Sequence, residues 1–411
     1  MTTVPSDVSI MSDEANFIQD VSKFYNVEDL SDITLVVGST RYFAHKFVLA
    51  KSSDVFRTML YEKDWSLGLK AEMELEELPE CQLVFDTFLC YFYTAKVSIT
   101  TSTAVGILCL ADKYNVMTLK ELCTQYMTLK SRSPQVGNAL KWYSWAKLLH
   151  IEPLQRQCYR SIAWNYMDIM ASPEWDTMDL EIVMDFLQSS ELIVSNELAV
   201  WDAVRLWLTH ESRVHQLREN ADRLLPLVRF PQMQILQLHQ LEKTELADGP
   251  QCGDILHRLL ATACRFQAPR PVREQLAAFN DPFYEPRDYT DLIVDSIRIQ
   301  NSFRFGIQVD LKKFCDPVPS KAHGTDWKVT CRPLAYWSLE MHCHETMPVN
   351  NETHVQPTII MYNEDDNVIQ VHREEKRECL RGSTITIQIT MDYPDLTKTM
   401  SVLIKPVATI T

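Results

Sequence analysis

The densest gathering of chemically capable side chains in this sequence is Cys331, His342, Cys343, His344 and His354, residue types that together can ligate zinc. Their spacing argues against a site. Apolar residues around them fall on every second position, and alternation places Cys343 on one strand face with Trp337, Leu339 and Met341. His342 and His344 fall on the opposite face with Ser338 and Glu340, and no CxxC or HxxxH pair closes a tetrahedral set, so no metal is expected. Nine glycines in 411 residues leave few loops able to close on phosphate, and GxGxxG, P-loop and GxSxG motifs are absent. With no nucleophile beside a base either, no catalytic residue and no cofactor is expected, and the chain does not read as an enzyme. Asn351-Glu-Thr353 is a glycosylation sequon, relevant only if the chain enters the secretory route.

A formal net charge of −15 without a basic stripe argues against a nucleic-acid partner, whose phosphates need clustered Lys and Arg. At 46% hydrophobic and 23% charged, the composition is that of a folded chain with room for two to four domains. The first ten residues have neither the basic nor the apolar stretch of a secretory signal, and no segment approaches the ~18 apolar residues of a membrane span. Eleven scattered cysteines, with Cys90, Cys109, Cys123 and Cys158 inside apolar helical patterns, read as small buried hydrophobes in a reducing compartment. A cytoplasmic protein is expected, or a secreted one if its true start lies upstream.

The elements are organised around residues 32–60. Asp32 to Val37 reads as a strand, Gly38-Ser-Thr40 as a turn and Arg41 to Ala44 as the returning strand. From Lys46 the period becomes helical: Phe47, Val48 and Leu49 begin an apolar face that Val55, Phe56, Met59 and Leu60 resume. Ser52-Ser-Asp54 between them is a helix stop followed by a cap. Upstream, Phe17, Ile18, Val21, Phe24 and Tyr25 form one stripe of a helix begun by Ser12-Asp-Glu14. Downstream, Glu72 to Glu80 reads as a strand with a solvated acidic face.

The run FxAHKxVLAxSSxVFRxML, followed by Val84–Thr94, Leu110–Val116, Leu119 and Cys123, resembles the BTB/POZ domain, an α+β fold that dimerises and docks partners. The resemblance implies a homodimer whose interface includes the helix stripe Phe17, Ile18, Val21, Phe24 and Tyr25. It implies a charged groove at Asp32 and Lys46, while His45 reads as a packed histidine. It also offers cullin-3 as a partner, with Phe56, Tyr61 and Trp65 facing it, although Trp65-Ser-Leu67 lacks the glutamate usual two positions after the hydrophobic residue.

Beyond Ser131-Arg-Ser-Pro134 the signal is wholly helical. Ala139, Trp142, Tyr143, Ala146 and Leu149 share a face, as do Leu154, Cys158 and Ile162, and later Trp201, Val204, Trp207 and Leu208. Leu187–Val194, Glu197–Leu208 and Leu224–Met233 resemble the BACK domain, which implies an all-α spacer without cleft chemistry. Period two returns after a linker, at Phe303–Leu311, Trp327–Cys331, Trp337–Cys343 and Ile385–Met391, giving about eight short strands and an expected β-sandwich. The order resembles BTB–BACK proteins of the galectin-3-binding-protein-like group, whose tail is TRAF-like. The expected organisation is a flexible 1–11, a dimerising 12–130, a helical 131–268, a linker 269–284 and a TRAF-like all-β 285–411. The function this implies is a homodimeric adaptor presenting its C-terminal domain to a protein partner, as substrate receptor of a cullin-3 ubiquitin ligase. The alternative is a secreted glycosylated binding protein carrying sugar at Asn351.

Overall fold

A computed structural model describes residues 13–61, 71–131, 136–267, 281–298, 307–310, 327–333, 337–343, 353–379 and 384–407. The chain divides into two compact units: residues 1–131 with 141–157, and residues 132–140 with 158–411.

The first unit opens with α1 (Glu14–Ser22), then β1 (Ile33–Val37) and β2 (Thr40–Ala44), an antiparallel hairpin in which Val37 pairs with Thr40. Gly38 makes the turn at φ 59°, a conformation glycine adopts without strain. Next come α2 (Lys46–Ser52) and α3 (Asp54–Tyr61), separated by Ser53 in an extended conformation. Ser53 Oγ accepts the Phe56 N–H at 3.0 Å and donates to the Tyr114 carbonyl at 2.5 Å, so the expected stop-and-cap is also tied to the domain core. β3 (Glu72–Leu75) lies parallel to β1, with Met73 and Leu75 buried and Glu72 and Glu74 exposed. The acidic strand is shorter than its pattern suggests, because Pro79 starts α4 (Pro79–Gln82) and leaves Leu78 exposed. α5 (Phe85–Thr94), α6 (Ala104–Lys113) and α7 (Met117–Lys130) complete the core, with Phe85, Phe88, Leu89, Ile107, Leu110 and Leu119 all fully buried.

α8 (Val136–Leu148) and α9 (Glu152–Trp164) bury the faces their periodicity marks: Ala139, Trp142, Tyr143 and Ala146, then Leu154, Cys158 and Ile162. The second unit continues through α10 (Tyr166–Met170), α11 (Pro173–Thr177), α12 (Leu180–Leu187), the short β4 (Ile193–Val194) and α13 (Glu197–Leu208). α14 (Leu217–Leu224), α15 (Ile235–Leu241), α16 (Glu245–Asp248) and α17 (Gly253–Gln267) follow. Asn196 caps α13 by accepting the Ala199 N–H at 3.1 Å. The indole N–H of Trp175 donates to the Ala203 carbonyl and that of Trp207 to the Met178 carbonyl, so these large buried rings also keep their polar atoms satisfied.

β5 (Asp288–Tyr289) pairs in parallel with β4, and β6 (Ile293–Arg298) leads into two antiparallel sheets. One runs β11 (Val368–Arg373), β10 (Thr353–Tyr362), β14 (Thr399–Val407), β6, with β12 (Arg377–Cys379) also on β10. The other runs β13 (Thr384–Ile389), β9 (Trp337–Cys343), β8 (Trp327–Pro333), β7 (Ile307–Asp310). Ile385, Ile387 and Ile389 are buried and their neighbours exposed, as strict alternation requires. The C-terminal region is therefore β-rich.

Candidate interaction surfaces

The stripe expected on one N-terminal helix is divided in two. α1 ends at Ser22, and Phe24 and Tyr25 follow it in a turn. The reason is Asn26, whose backbone is left-handed (φ 51°) and whose Oδ1 accepts the Phe43 N–H at 3.0 Å, drawing the chain down onto β2. Tyr25 donates its hydroxyl to Asp86 and sets its ring edge-on to Tyr93 at 5.7 Å, while Phe24 meets His45 edge-on at 6.0 Å. One end of the stripe thus folds back on its own domain, and Val21 is half-buried. Phe17 remains 70% exposed and Ile18 39%, and the following turn leaves Val27 and Leu30 open as well. Phe47 on α2 is exposed to 72%.

Asp32 and Lys46 meet, through the backbone of Lys46. Asp32 Oδ1 accepts the Lys46 N–H at 2.7 Å, so the exposed carboxylate satisfies one free amide at the start of α2. His45 is packed, as its apolar neighbours suggest. Tyr93 Oη accepts the His45 backbone N–H at 3.0 Å and also hydrogen-bonds the ring Nδ1 at 3.0 Å. Nε2 is buried without a hydrogen-bond partner.

Burial pushes the Tyr93 phenol up to about 12 from an ordinary value of 10.0. Burial also raises Tyr114, hydrogen-bonded to Glu77, and Tyr25 beside Asp86. A phenol whose folded pKa exceeds its unfolded one stabilises the fold fully below the unfolded value, and that contribution disappears as pH rises through the folded value. Stability should therefore hold to pH ~10 and fall steeply towards pH ~12. Urea midpoints collected from pH 8 to 12 check this. A midpoint already falling between pH 8 and 9 would contradict it.

The second unit holds a buried charge cluster. Glu197, at the start of α13, is 1% exposed, and Arg287 and Asp288 are fully buried. Glu197 accepts the Arg229 backbone N–H at 2.7 Å, the Tyr289 hydroxyl at 2.6 Å and Arg287 Nε at 3.1 Å. Arg287 also donates to the Ser189 carbonyl and, at 2.9 Å, to that of Leu227. Arg229 donates to the Glu285 carbonyl at 2.8 Å and to Ser190 Oγ at 2.7 Å; burial, with Arg287 nearby, pulls its guanidinium down to about 10. Asp288 faces the strands instead, taking Arg373 Nε at 2.7 Å and Lys405 Nζ at 3.2 Å. Asn165 adds a second tie: its Oδ1 accepts the Val368 N–H at 2.8 Å and its Nδ2 donates to the Val368 carbonyl at 3.2 Å. The helices and the C-terminal sheet β11–β10–β14 are thus joined by satisfied polar groups on both sides of β5.

Residues 21–131 match the BTB/POZ domain model, and residues 139–243 match the model described as BTB And C-terminal Kelch, the BACK domain. The chain carries a BTB domain followed by a BACK domain. It is homologous to BTB/POZ domain-containing protein 17 of Xenopus laevis, 29% identical over 60% of this chain and 50% of that protein. Mouse galectin-3-binding protein is 28% identical over 55% of this chain and 39% of its own length. Human Kelch-like protein 24 is 24% identical over 66% of this chain and 48% of its own. The chain spans about half the length of the BTB/POZ domain-containing protein 17 sequences it matches.

In this BTB–BACK protein the three residues expected to face cullin-3 differ in placement. Phe56 is 0% exposed, stacked on Tyr114 at 4.4 Å and edge-on to Phe92, so that assignment is corrected: a side chain with no exposed surface packs and does not dock. Tyr61 is 56% exposed at the end of α3. Trp65 lies outside the described residues, as do Asn351 and His344. Of the zinc-like group, Cys331 pairs with Leu339, Cys343 with Trp327, and His342 with Lys328 and Thr384 in the register of β7–β8–β9–β13. Among the described residues no cluster of His, Cys, Asp or Glu could hold a metal ion, and no helix is long and apolar enough to cross a membrane.

What sequence reasoning missed is the buried joint of the BACK region. Glu197 reads as a first-turn residue suited to the helix dipole, and Arg287 falls at the start of the expected all-β region 285–411. A Glu and an Arg near Pro-rich punctuation carry no periodic signal, and their meeting spans ninety residues of chain. Residues 281–289 are bonded to the helices: Gln232 Nε2 donates to the Tyr284 carbonyl at 2.7 Å, and Tyr284 packs on Phe266 at 5.2 Å.

Proposed function

We propose that this BTB–BACK protein is a non-enzymatic adaptor that forms homodimers through its BTB domain and offers its C-terminal β region, read as a TRAF-like sandwich, to a protein partner. The observation that carries the reading is the exposed apolar end of the N-terminal stripe. The BTB core is closed without it, yet Phe17 and Ile18 stand in solvent, with Val27 and Leu30 of the following turn beside them in sequence, and such surface favours burial against a second molecule. The buried joint suits a presenting role, because it fixes the sheet against the BACK helices instead of leaving it on a loose tether. Two partners held on two arms of one dimer would gain effective concentration without new contacts. Cullin-3 is the partner through which this arrangement becomes a ubiquitin ligase, with exposed Tyr61 as its contact.

Calorimetric titration of the full chain with the amino-terminal domain of cullin-3 tests the ligase part. Micromolar binding is expected, weakened about tenfold, ~1.4 kcal/mol, in Tyr61→Ala. Absence of heat at tens of micromolar would remove the ligase role and leave a dimeric scaffold.

A further inference from the structure

A cavity of about 280 Å³ lies in the second unit, between the α11–α12 turn, the end of α13 and the first turn of α14. Small-molecule sites run from about 300 to 1,000 Å³, so this one suits a single side chain better than a cofactor. Asn220 lines it from the buried side: it is 4% exposed and shares the inner face of α14 with Ala221 and Leu224. An apolar residue would complete that face. The Asn220 amide instead has no hydrogen-bond partner among the described residues, and a buried amide left unpaired is costly to keep. The outer lining is charged. Asp179, just before α12, and Glu219, on α14, are exposed, and their carboxylates make no ion pair or hydrogen bond among the described residues. The cation in the lining, Arg213, is already engaged: its guanidinium lies over the Trp207 ring at 4.0 Å and donates to the carbonyls of Trp207, at 3.2 Å, and Asp176.

We propose that this cavity is a docking site for one arginine side chain of a protein partner. Two carboxylates against one guanidinium leave a net negative charge that a single cation neutralises and that repels phosphate or carboxylate ligands. A guanidinium carries five N–H donors in a planar fork, and the lining offers the carboxylate oxygens of Asp179 and Glu219 and the amide oxygens of Gln216 and Asn220. Lysine brings the same charge with three donors on a compact ammonium, which matches so many acceptors less well. Two carboxylates are too few to cage a metal ion, which takes six or more oxygens in the calcium case. Entry of the guanidinium pairs the free carboxylates and the buried Asn220 oxygen together, so the partner supplies what the fold leaves open. The cavity is built from BACK residues alone, so the inference depends neither on dimerisation nor on the C-terminal strands.

Saturation-transfer NMR of the full chain tests this with N-acetyl-arginine amide as the probe, set against N-acetyl-citrulline amide, which has nearly the same shape and no charge. Transfer to the arginine side-chain methylenes with a millimolar Kd is expected, and none to citrulline. Asp179→Asn/Glu219→Gln should weaken arginine binding about tenfold. Glu121→Gln/Glu152→Gln, an equal change of charge on exposed acids outside the cavity, should leave it unchanged. Asn220→Leu gives an independent readout: it replaces an unpaired buried amide by an apolar side chain, so the melting midpoint should hold or rise while arginine affinity falls. A lowered midpoint with unchanged arginine binding would overturn the proposal, as would equal signals from arginine and citrulline, equal losses in the two charge pairs, or no signal at tens of millimolar. Free arginine binding more tightly than the blocked probe would overturn it too, by assigning the cavity to the amino acid. The arginine–citrulline comparison is made on the unsubstituted protein and decides the matter even where a variant fails to fold.

Discussion

Arg287→Ala should destabilise the unit formed by the BACK helices and the C-terminal strands by about 3–5 kcal/mol, the usual cost of removing one partner of a buried ion pair. The substitution leaves Glu197 buried, 1% exposed and short of its charged partner, and strips the Ser189 and Leu227 carbonyls of their donor. An apolar replacement of both charges would not repair the loss, as it can elsewhere. Glu197 also holds the Arg229 amide and the Tyr289 hydroxyl, and these would become orphans in their turn. Urea denaturation followed by the fluorescence of buried Trp175, Trp201 and Trp207 measures the effect. A loss below about 1 kcal/mol, the value of an exposed pair, would mean that water reaches the cluster.

Phe56→Ala should cost the BTB domain about 3–5 kcal/mol, and Phe56→Leu distinctly less, because the ring fills space between Tyr114 and Phe92 that a leucine partly occupies. The consequence for function is practical. Loss of cullin-3 binding in Phe56→Ala would report an unfolded domain, and only a surface variant such as Tyr61→Ala reads a contact. Circular dichroism melts of both variants, run before any binding assay, separate the two. An unchanged midpoint in Phe56→Ala would contradict the packing described.

Much of the BTB domain was legible because its signals are local. Gly38 turns the hairpin through its own backbone freedom, and Ser53 stops one helix and caps the next within three residues. Phe56 was legible too: helical periodicity already grouped it with Leu60, which is also buried, and only the family resemblance turned it outward. The end of α1 was not legible, since it depends on Asn26 reaching Phe43 on a strand formed later in the chain. In the BACK region the helix faces follow from spacing. The charge cluster does not, because Glu197, Arg229, Arg287 and Asp288 acquire partners only when segments far apart in sequence are brought together. Resemblance and pattern agree on a β-rich tail, as observed, while a TRAF-like arrangement of its sheets stays part of the proposal.

Sedimentation equilibrium of the full chain, alone and as Phe17→Asp/Ile18→Asp, tests the adaptor account most directly. A particle of twice 47.7 kDa at micromolar concentration, reduced to one chain by the charged pair with an unchanged melting midpoint, is the predicted result. A single-chain particle in the unsubstituted protein at that concentration would contradict it.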